Sequence, residues 1–529
     1  MEELAGELKS SKEIEKRKSK IKNFFFGWIK DNYDKIFLAV LIIAFIIRLW
    51  IFFKTLDQTL WWDEADYLAA AKKWAGINPY LSDIWYYRRG FLWPLIGSLF
   101  FKINFGEIGM RFLEVLFSTG FIFVSYSLIS KMFDKKIALF SSIALSFSWI
   151  LLFFTGRLLT DIPAAFFVLL ALLFFWKGYV LKEGNKFLYL FALFFAFAIL
   201  TRMQSFMLAP PFLIYILMKE KTKVFKNKQL WITLGIFILI LVPQFVLYSM
   251  HYGNPITDLA SHYLGIGSES NPVVEGNERV LSLAIFNYFL DLPYIMSTPF
   301  FILLLIGTIY FFSDMILGID KIFKDENLQK KFFVFLWIIS LFLIMGYIGS
   351  ISYVEQRYMT AALPFLFLIA ISPFFILEKK LSHNPKISKK IIFIIIAIIS
   401  LLSFYNISGA FSLIDSKLDS YSEIKQAGLW IKENSNSSDI IITQSKPQIV
   451  YYAERSILIC DDTHNCDNSS VFEAVVNEQK PKYFLLSVYE YYPEWIYSYP
   501  SENLDKLIPV KAFYQGEQVT TVIYEFNYS

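Results

Sequence analysis

Asp63, Glu64 and Asp66 fall within four positions of one another in "LWWDEADYLAAAKKW" (residues 60–74), directly behind Trp61 and Trp62. Carboxylates this close can divide their work, one removing a proton from a hydroxyl while a neighbour holds the loop or a cation. Three further segments pair acids with arginines. "TGRLLTDIP" sets Arg157 four residues before Asp161, "YYRRGFLWP" carries Arg88 and Arg89, and "YVEQRYM" carries Glu355, Arg357 and Tyr358. Arginine grips phosphate through a planar fork, which lysine cannot do. Each segment also has a plain reading. Acids at a membrane edge are often solvated flanks, and Arg157 with Asp161 has the spacing of an ion pair that caps a helix. Paired arginines can anchor headgroups, and tryptophans gather at bilayer interfaces.

The elements that must position these residues are membrane helices. Of the 529 residues, 56% are apolar, 19% aromatic and 18% charged, with mean hydropathy +0.47. Soluble domains hold more charge and less apolar surface, so this is membrane composition. A spanning helix needs about 20 mostly apolar residues. About eleven such runs are predicted, at 36–54, 108–131, 137–155, 162–181, 187–201, 203–218, 229–250, 294–313, 332–350, 358–377 and 391–408. The fifth and sixth are short and separated by Thr201 and Arg202 alone. Residues 91–105, "FLWPLIGSLFFKINF", contain Pro94 and suit a helix lying at the interface. The charged start of the chain, "KSSKEIEKRKSKIK", has no signal-peptide pattern, so residues 1–35 are expected to be a basic cytoplasmic segment.

Lysine and arginine in short loops set orientation. With a cytoplasmic N-terminus, "KEKTKVFKNK" (219–228), "KIFKDENLQKK" (321–331) and "EKKLSHNPKISKK" (378–390) lie inside, while the outer loops hold single arginines: Arg157, Arg202, Arg279 and Arg357. The four acid-and-arginine segments therefore share one depth, the extracytoplasmic membrane boundary. From about residue 409 the long apolar runs stop, and 409–529 reads as an extracytoplasmic α/β domain following the membrane domain at 36–408. Cys460 and Cys466 exclude a disulfide-rich scaffold and are close enough to close a small loop in an oxidising compartment. The histidines, at 251, 262, 383 and 464, have no metal-ligand spacing.

A substrate with its tail in the bilayer and a phosphate at the surface fits this arrangement, as a polyprenyl-phosphate sugar does. The chain resembles the membrane-embedded GT-C glycosyltransferases, in particular the branch of protein O-mannosyltransferases and lipid A aminoarabinose transferases. The resemblance rests on the Asp-Glu pair of the first outer loop and the juxtamembrane "FLWPLIGSLFF". It continues through "FGEIGMRFLEVLFSTG", the Arg-x-x-x-Asp of "FFTGRLLTDIPAAFF" and the late "VEQRYMTAALPFLFL". It implies a polytopic helical fold with juxtamembrane helices in the first outer loop, in a multi-pass plasma-membrane protein. The implied activity is transfer of a sugar from a polyprenyl-phosphate donor to a hydroxyl of protein, lipid or glycan, with inversion. Asp63 is then the general base, Glu64 holds the loop or substrate, and Asp161 is a second acid of the same cavity. Arg88 or Arg89 takes the place of the family's lysine, and Arg157, Arg202, Arg357 and Tyr358 meet the donor. No metal is expected to be required, although the family's varying metal use leaves a divalent ion open. The long loop from His251 to Pro293 is either a lid or an exposed connector. The alternative class is a multi-span transporter or a flippase for lipid-linked sugars, which calls for charges near mid-membrane and repeated halves. Transfer to asparagine fits less well, since "WWD" stands at 61–63 and not in the C-terminal domain.

Overall fold

The computed structural model describes residues 27–77, 89–255, 257, 286–351, 355–381, 385–460 and 466–528. Arg88, Arg279 and most of the loop between His251 and Pro293 lie outside these residues. Among the described residues, eight helices are long and apolar enough to cross a membrane. The first is α1 (Asn32–Lys54), started by Asp31, whose carboxylate accepts the Asp34 N–H at 3.1 Å. Two short helices follow, α2 (Trp62–Ala75) and α3 (Leu92–Lys102), both in the first interhelical loop as the resemblance implies. Next come α4 (Gly106–Met132), α5 (Lys135–Ser146), α6 (Trp149–Thr155) and α7 (Asp161–Phe175). The pair α5 and α6 bends by 53° and can serve as a ninth span. Helices break where a side chain takes over a backbone bond. Here the buried Arg48 guanidinium donates to the Ser146 carbonyl at the bend, 3.1 Å away.

The fifth and sixth expected spans differ from the expectation in length. They form α8 (Asn185–Thr201) and α9 (Ala209–Glu220), joined by a 3-10 turn at Met203–Leu208. At 1.5 Å per residue α8 reaches only about 25 Å, short of the hydrocarbon core. Arg202 sits in the break with extended backbone, φ −149°, which frees its side chain to turn toward its neighbours. Four long helices complete the bundle: α10 (Lys228–Tyr252), α11 (Thr298–Leu317), α12 (Glu326–Ile351) and α13 (Leu363–Leu381). A 3-10 segment, Gln356–Ala362, leads into α13 and carries Arg357. The last helix, α14 (Pro385–Ser416), continues past residue 408 into the C-terminal domain.

That domain has α15 (Ser422–Asn434), α16 (Lys446–Ala453), α17 (Ser469–Gln479) and α18 (Glu494–Glu502) around one sheet. Its strands are β1 (Ile440–Ile442), β2 (Ser456–Leu458), β3 (Tyr483–Ser487), β4 (Leu507–Gln515) and β5 (Gln518–Phe526), in the order β2-β1-β3-β5-β4. β2, β1 and β3 run parallel, and β5 pairs antiparallel with β3 and β4. Cys460 and Cys466 form a disulfide. The domain is seated on the bundle by α16, which packs along α2. Tyr452 Oη accepts the Leu60 N–H at 2.9 Å, and Lys72 Nζ donates to the Tyr451 carbonyl and to Glu454, both at 2.9 Å.

Helix packing in the bundle depends on a close approach at Gly307, where α11 meets α13. A Cβ there would stand 2.0 Å from the Ile369 carbonyl oxygen. Gly307→Ala is therefore expected to cost about 1–3 kcal/mol through overpacking, read as a lowered midpoint of thermal unfolding in detergent. An unchanged midpoint would mean the two helices can separate freely.

Candidate active site

Six of the sequence-predicted residues, Asp63, Arg89, Asp161, Arg202, Arg357 and Tyr358, meet at one end of the bundle, under the C-terminal domain. Asp63 opens the first turn of α2. It pairs with Arg89 Nη2 at 3.1 Å and with Arg357 Nη2 at 3.5 Å. Asp161 opens α7 and pairs with Arg202 Nη1 at 3.1 Å and Arg357 Nη1 at 3.7 Å. Arg357 also reaches Glu355 at 3.5 Å. Its guanidinium thus lies between acids delivered by three separate segments. The Tyr358 ring packs beneath both cations, 4.6 Å from the Arg202 guanidinium and 5.5 Å from that of Arg357. The Glu355 backbone is held in place by the Tyr288 hydroxyl, which donates to its carbonyl at 3.3 Å and accepts its N–H at 3.1 Å.

Accessibility separates the acids. The Asp63 side chain is 34% exposed, whereas that of Asp161 is 2% exposed. Asp63 faces a cavity of about 400 Å³ lined by Trp61, Trp62, Glu355 and Arg357 from the bundle and by Tyr421, Gln448, Tyr489 and Glu490 from the C-terminal domain. On the other side of Arg357 a narrower space runs into the bundle between Asp161, Arg202, Tyr358, Leu341 and Met345. A groove of about 610 Å³ has no acid or cation in its lining, which is formed by Phe206 and the apolar face of α10 from Phe237 to Met250. Its helix is tied to the site, since Gln244 accepts the Phe91 N–H and donates to the Arg89 carbonyl, both at 3.2 Å.

Glu64 holds the loop, one of its two expected roles, whereas Arg157 lies apart from the arginines expected to meet a donor. Neither faces the cavity, and their side chains are 1% and 2% exposed. One Glu64 oxygen takes the Leu158 N–H at 2.6 Å; the other takes Arg157 and, at 2.6 Å, the Trp61 N–H. Arg157 also stacks on Trp61 at 3.8 Å. The pair therefore locks the first loop to the loop before α7, and Arg157 does not pair with Asp161 as the four-residue spacing suggests. Burial explains the difference: a charge this deep needs its partner beside it.

Asp66, which the sequence also allowed to be a solvated flank, joins the cluster, and Tyr67 escaped the sequence reading. Asp66, 3% exposed, takes Arg89 Nη1 at 3.1 Å. Burial pushes its carboxyl up to about 6, with Asp63 adding and Arg89 opposing. Tyr67 lies 3.4 Å from the Thr160 hydroxyl, and the Arg89 guanidinium stands 5.5 Å over its ring. Asp63, Asp66 and Tyr67 share one face of α2 at helical spacing, a signal available in the sequence. Among the described residues no three acidic, His or Cys side chains form a metal-ligating group.

Two outcomes are expected. Glu64→Leu strands the buried Arg157 cation and costs about 3–5 kcal/mol, whereas the double change with Arg157→Met restores much of it, as denaturant unfolding in detergent will report. Asp66 binds a proton more tightly folded than unfolded, so its contribution to stability is lost as pH rises from about 4 to its folded value of about 6. Asp66→Asn removes that part of the pH dependence of thermal unfolding.

Residues 88–248 match the family described as dolichyl-phosphate-mannose-protein mannosyltransferase. No curated protein matches the chain. Among solved structures, apo ArnT from Cupriavidus metallidurans superposes with TM-score 0.62 at 13% identity, covering 94% of this chain and 97% of that one. The undecaprenyl phosphate complex of the same protein gives TM-score 0.60 at 13% identity, covering 94% and 98%. The Archaeoglobus fulgidus oligosaccharyltransferase AglB, in complex with an inhibitory peptide and a dolichol-phosphate, gives 0.55 at 15% identity, covering 86% and 70%. The chain is a multi-pass membrane protein with the GT-C fold that these proteins share.

Proposed function

We propose that the protein is a membrane glycosyltransferase that moves a sugar from a polyprenyl-phosphate donor to a hydroxyl acceptor on the extracytoplasmic side. The observation that carries this is the placement of Arg357, with the accessible Asp63 on one side and the Arg202–Asp161 pair on the other. The family match over residues 88–248 supports it, as does the fold shared with a protein solved with undecaprenyl phosphate bound.

The donor's phosphate meets Arg357 and Arg202, with Arg89 at the edge. Its chain follows the apolar groove of α10, whose Gln244 is bonded to the Arg89 backbone. The acceptor hydroxyl comes from the Asp63 side and attacks the anomeric carbon opposite the phosphate. The bond from acceptor oxygen to anomeric carbon forms as the bond from that carbon to the phosphate oxygen breaks. Asp63 takes the hydroxyl proton, and polyprenyl phosphate leaves with its electron pair. One displacement of this kind inverts the anomeric centre. Arginine charge stabilises the leaving phosphate, so no general acid is required. Asp161 keeps Arg202 and Arg357 in register, and Glu64 with Arg157 fixes the loop that carries Asp63.

The transporter alternative needs charged groups near the bilayer midplane, and the ion pairs described here gather at one end of the bundle. The test is turnover of a panel of polyprenyl-phosphate sugars by the protein in lipid nanodiscs. Asp63→Asn should slow turnover by about 10²–10⁴-fold while undecaprenyl phosphate still binds, and Arg357→Ala should weaken that binding. Full turnover in Asp63→Asn would place the base elsewhere. Failure of the natural chain to bind any lipid phosphate would remove the reading altogether.

A further inference from the structure

A single displacement requires the nucleophile to approach from the side opposite the phosphate. Here that side is the cavity of about 400 Å³ whose far wall belongs to the C-terminal domain. That wall holds polar atoms with nothing to bond. Gln448, at the start of α16, is 1% exposed, and its Oε1 accepts no hydrogen bond among the described residues. Across the cavity the buried Trp61 Nε1 donates none. A buried acceptor and a buried donor left open cost free energy unless a ligand completes them. A hydroxyl, which donates and accepts, can complete either one.

The remaining lining has the same character. Burial raises the Glu490 carboxyl to about 7, against a bond from the Ser445 hydroxyl, so near neutrality it serves as donor or as acceptor. Tyr489 is fixed by its own hydroxyl, which donates to Glu423 at 3.0 Å. Its ring meets Tyr421 edge-on at 5.2 Å, and both rings line the cavity. Aromatic walls with a few hydrogen-bonding groups between them suit the C–H faces and hydroxyl rim of a pyranose. Asp63 and Glu355 stand against Arg357 and Lys417 in the lining, two charges of each sign, while Glu490 is held partly protonated near neutrality. The lining therefore favours a neutral ligand. One common way to capture an extended peptide is along a sheet edge, and the edges of this sheet, β2 and β4, contribute nothing to the lining.

We propose that this wall of the C-terminal domain is the acceptor subsite, and that Gln448, Glu490 and the Tyr421–Tyr489 pair bind a neutral saccharide in preference to a peptide hydroxyl. The proposal rests on the glycosyltransferase reading and deepens it. The test uses the full-length protein in nanodiscs loaded with undecaprenyl phosphate, titrated calorimetrically with mannobiose, maltose, cellobiose and a short Ser/Thr peptide. At least one disaccharide should bind, and Gln448→Ala should weaken it about tenfold without changing undecaprenyl phosphate affinity. Gln448→Glu, which keeps the acceptor oxygen, should retain binding. Glu490→Ala gives a second reading with a similar loss should Gln448→Ala fail to fold. Lipid-phosphate binding with no disaccharide bound, a preference for the peptide, or indifference to both alanine changes would each overturn the acceptor assignment alone. Loss of lipid-phosphate binding in the natural chain would instead bring down the reading beneath it.

Discussion

A guanidinium held near the membrane boundary needs opposite charge beside it, because water is scarce there and screening is weak. Arg357 meets that need with Asp63 from the first interhelical loop, Asp161 from the start of α7 and Glu355 from its own segment. The geometry of the whole end of the bundle follows from bringing these segments to one cation. The 3-10 stretch before α13, the break between α8 and α9 and the first turn of α2 all place a side chain around it.

Charge matching of this kind has two layers. The inner layer, Glu64 with Arg157, is closed to the cavity and also satisfies the backbone of Trp61 and Leu158. It contributes registry between loops, the best-attested use of a buried ion pair. The outer layer, Asp63 with Arg89 and Arg357, borders the cavity, so under the proposed function it is the layer that would exchange a protein partner for a substrate group. An arginine that releases a carboxylate and accepts a phosphate changes partner without changing its surroundings. The groove along α10 is apolar and the cavity beneath the C-terminal domain is lined by charged and polar side chains, and Gln244 of α10 is bonded to the backbone of Arg89 in this layer.

The C-terminal domain is more than a cover on this surface. Helix α16 lies against α2, which carries Asp63, and bonds to it through Lys72 and Leu60. Gln448 of that helix, with Tyr421 before α15 and Tyr489 and Glu490 after β3, forms the far wall of the cavity. Its position is therefore set by the same element that positions the accessible acid, which couples the two halves of the site mechanically.

Much of this was legible in the chain. Apolar runs of spanning length, the alternation of basic loops and the collapse of hydropathy near residue 409 determine a polytopic bundle with an α/β domain, because backbone in a bilayer must satisfy itself as helix. The Asp-Glu pair, Arg202, Asp161, Arg357 and Tyr358 could be placed at one depth for the same reason. Depth, however, is one coordinate. Which acid faces the cavity and which is locked behind it depends on rotation about α2 and on loops far apart in sequence, so Glu64 and Arg157 became an interior pair while Asp63 stayed open. The short span ending at Thr201 looked like a weak prediction in sequence, and the tertiary structure makes it the break that delivers Arg202. The place of Gln448 and Glu490 in the cavity lining was not legible, since nothing local marks a side chain that meets the bundle only after the C-terminal domain packs on it. Hydropathy along the chain is additive and one-dimensional, whereas partner choice among buried charges is decided by distances that exist only once the helices have packed.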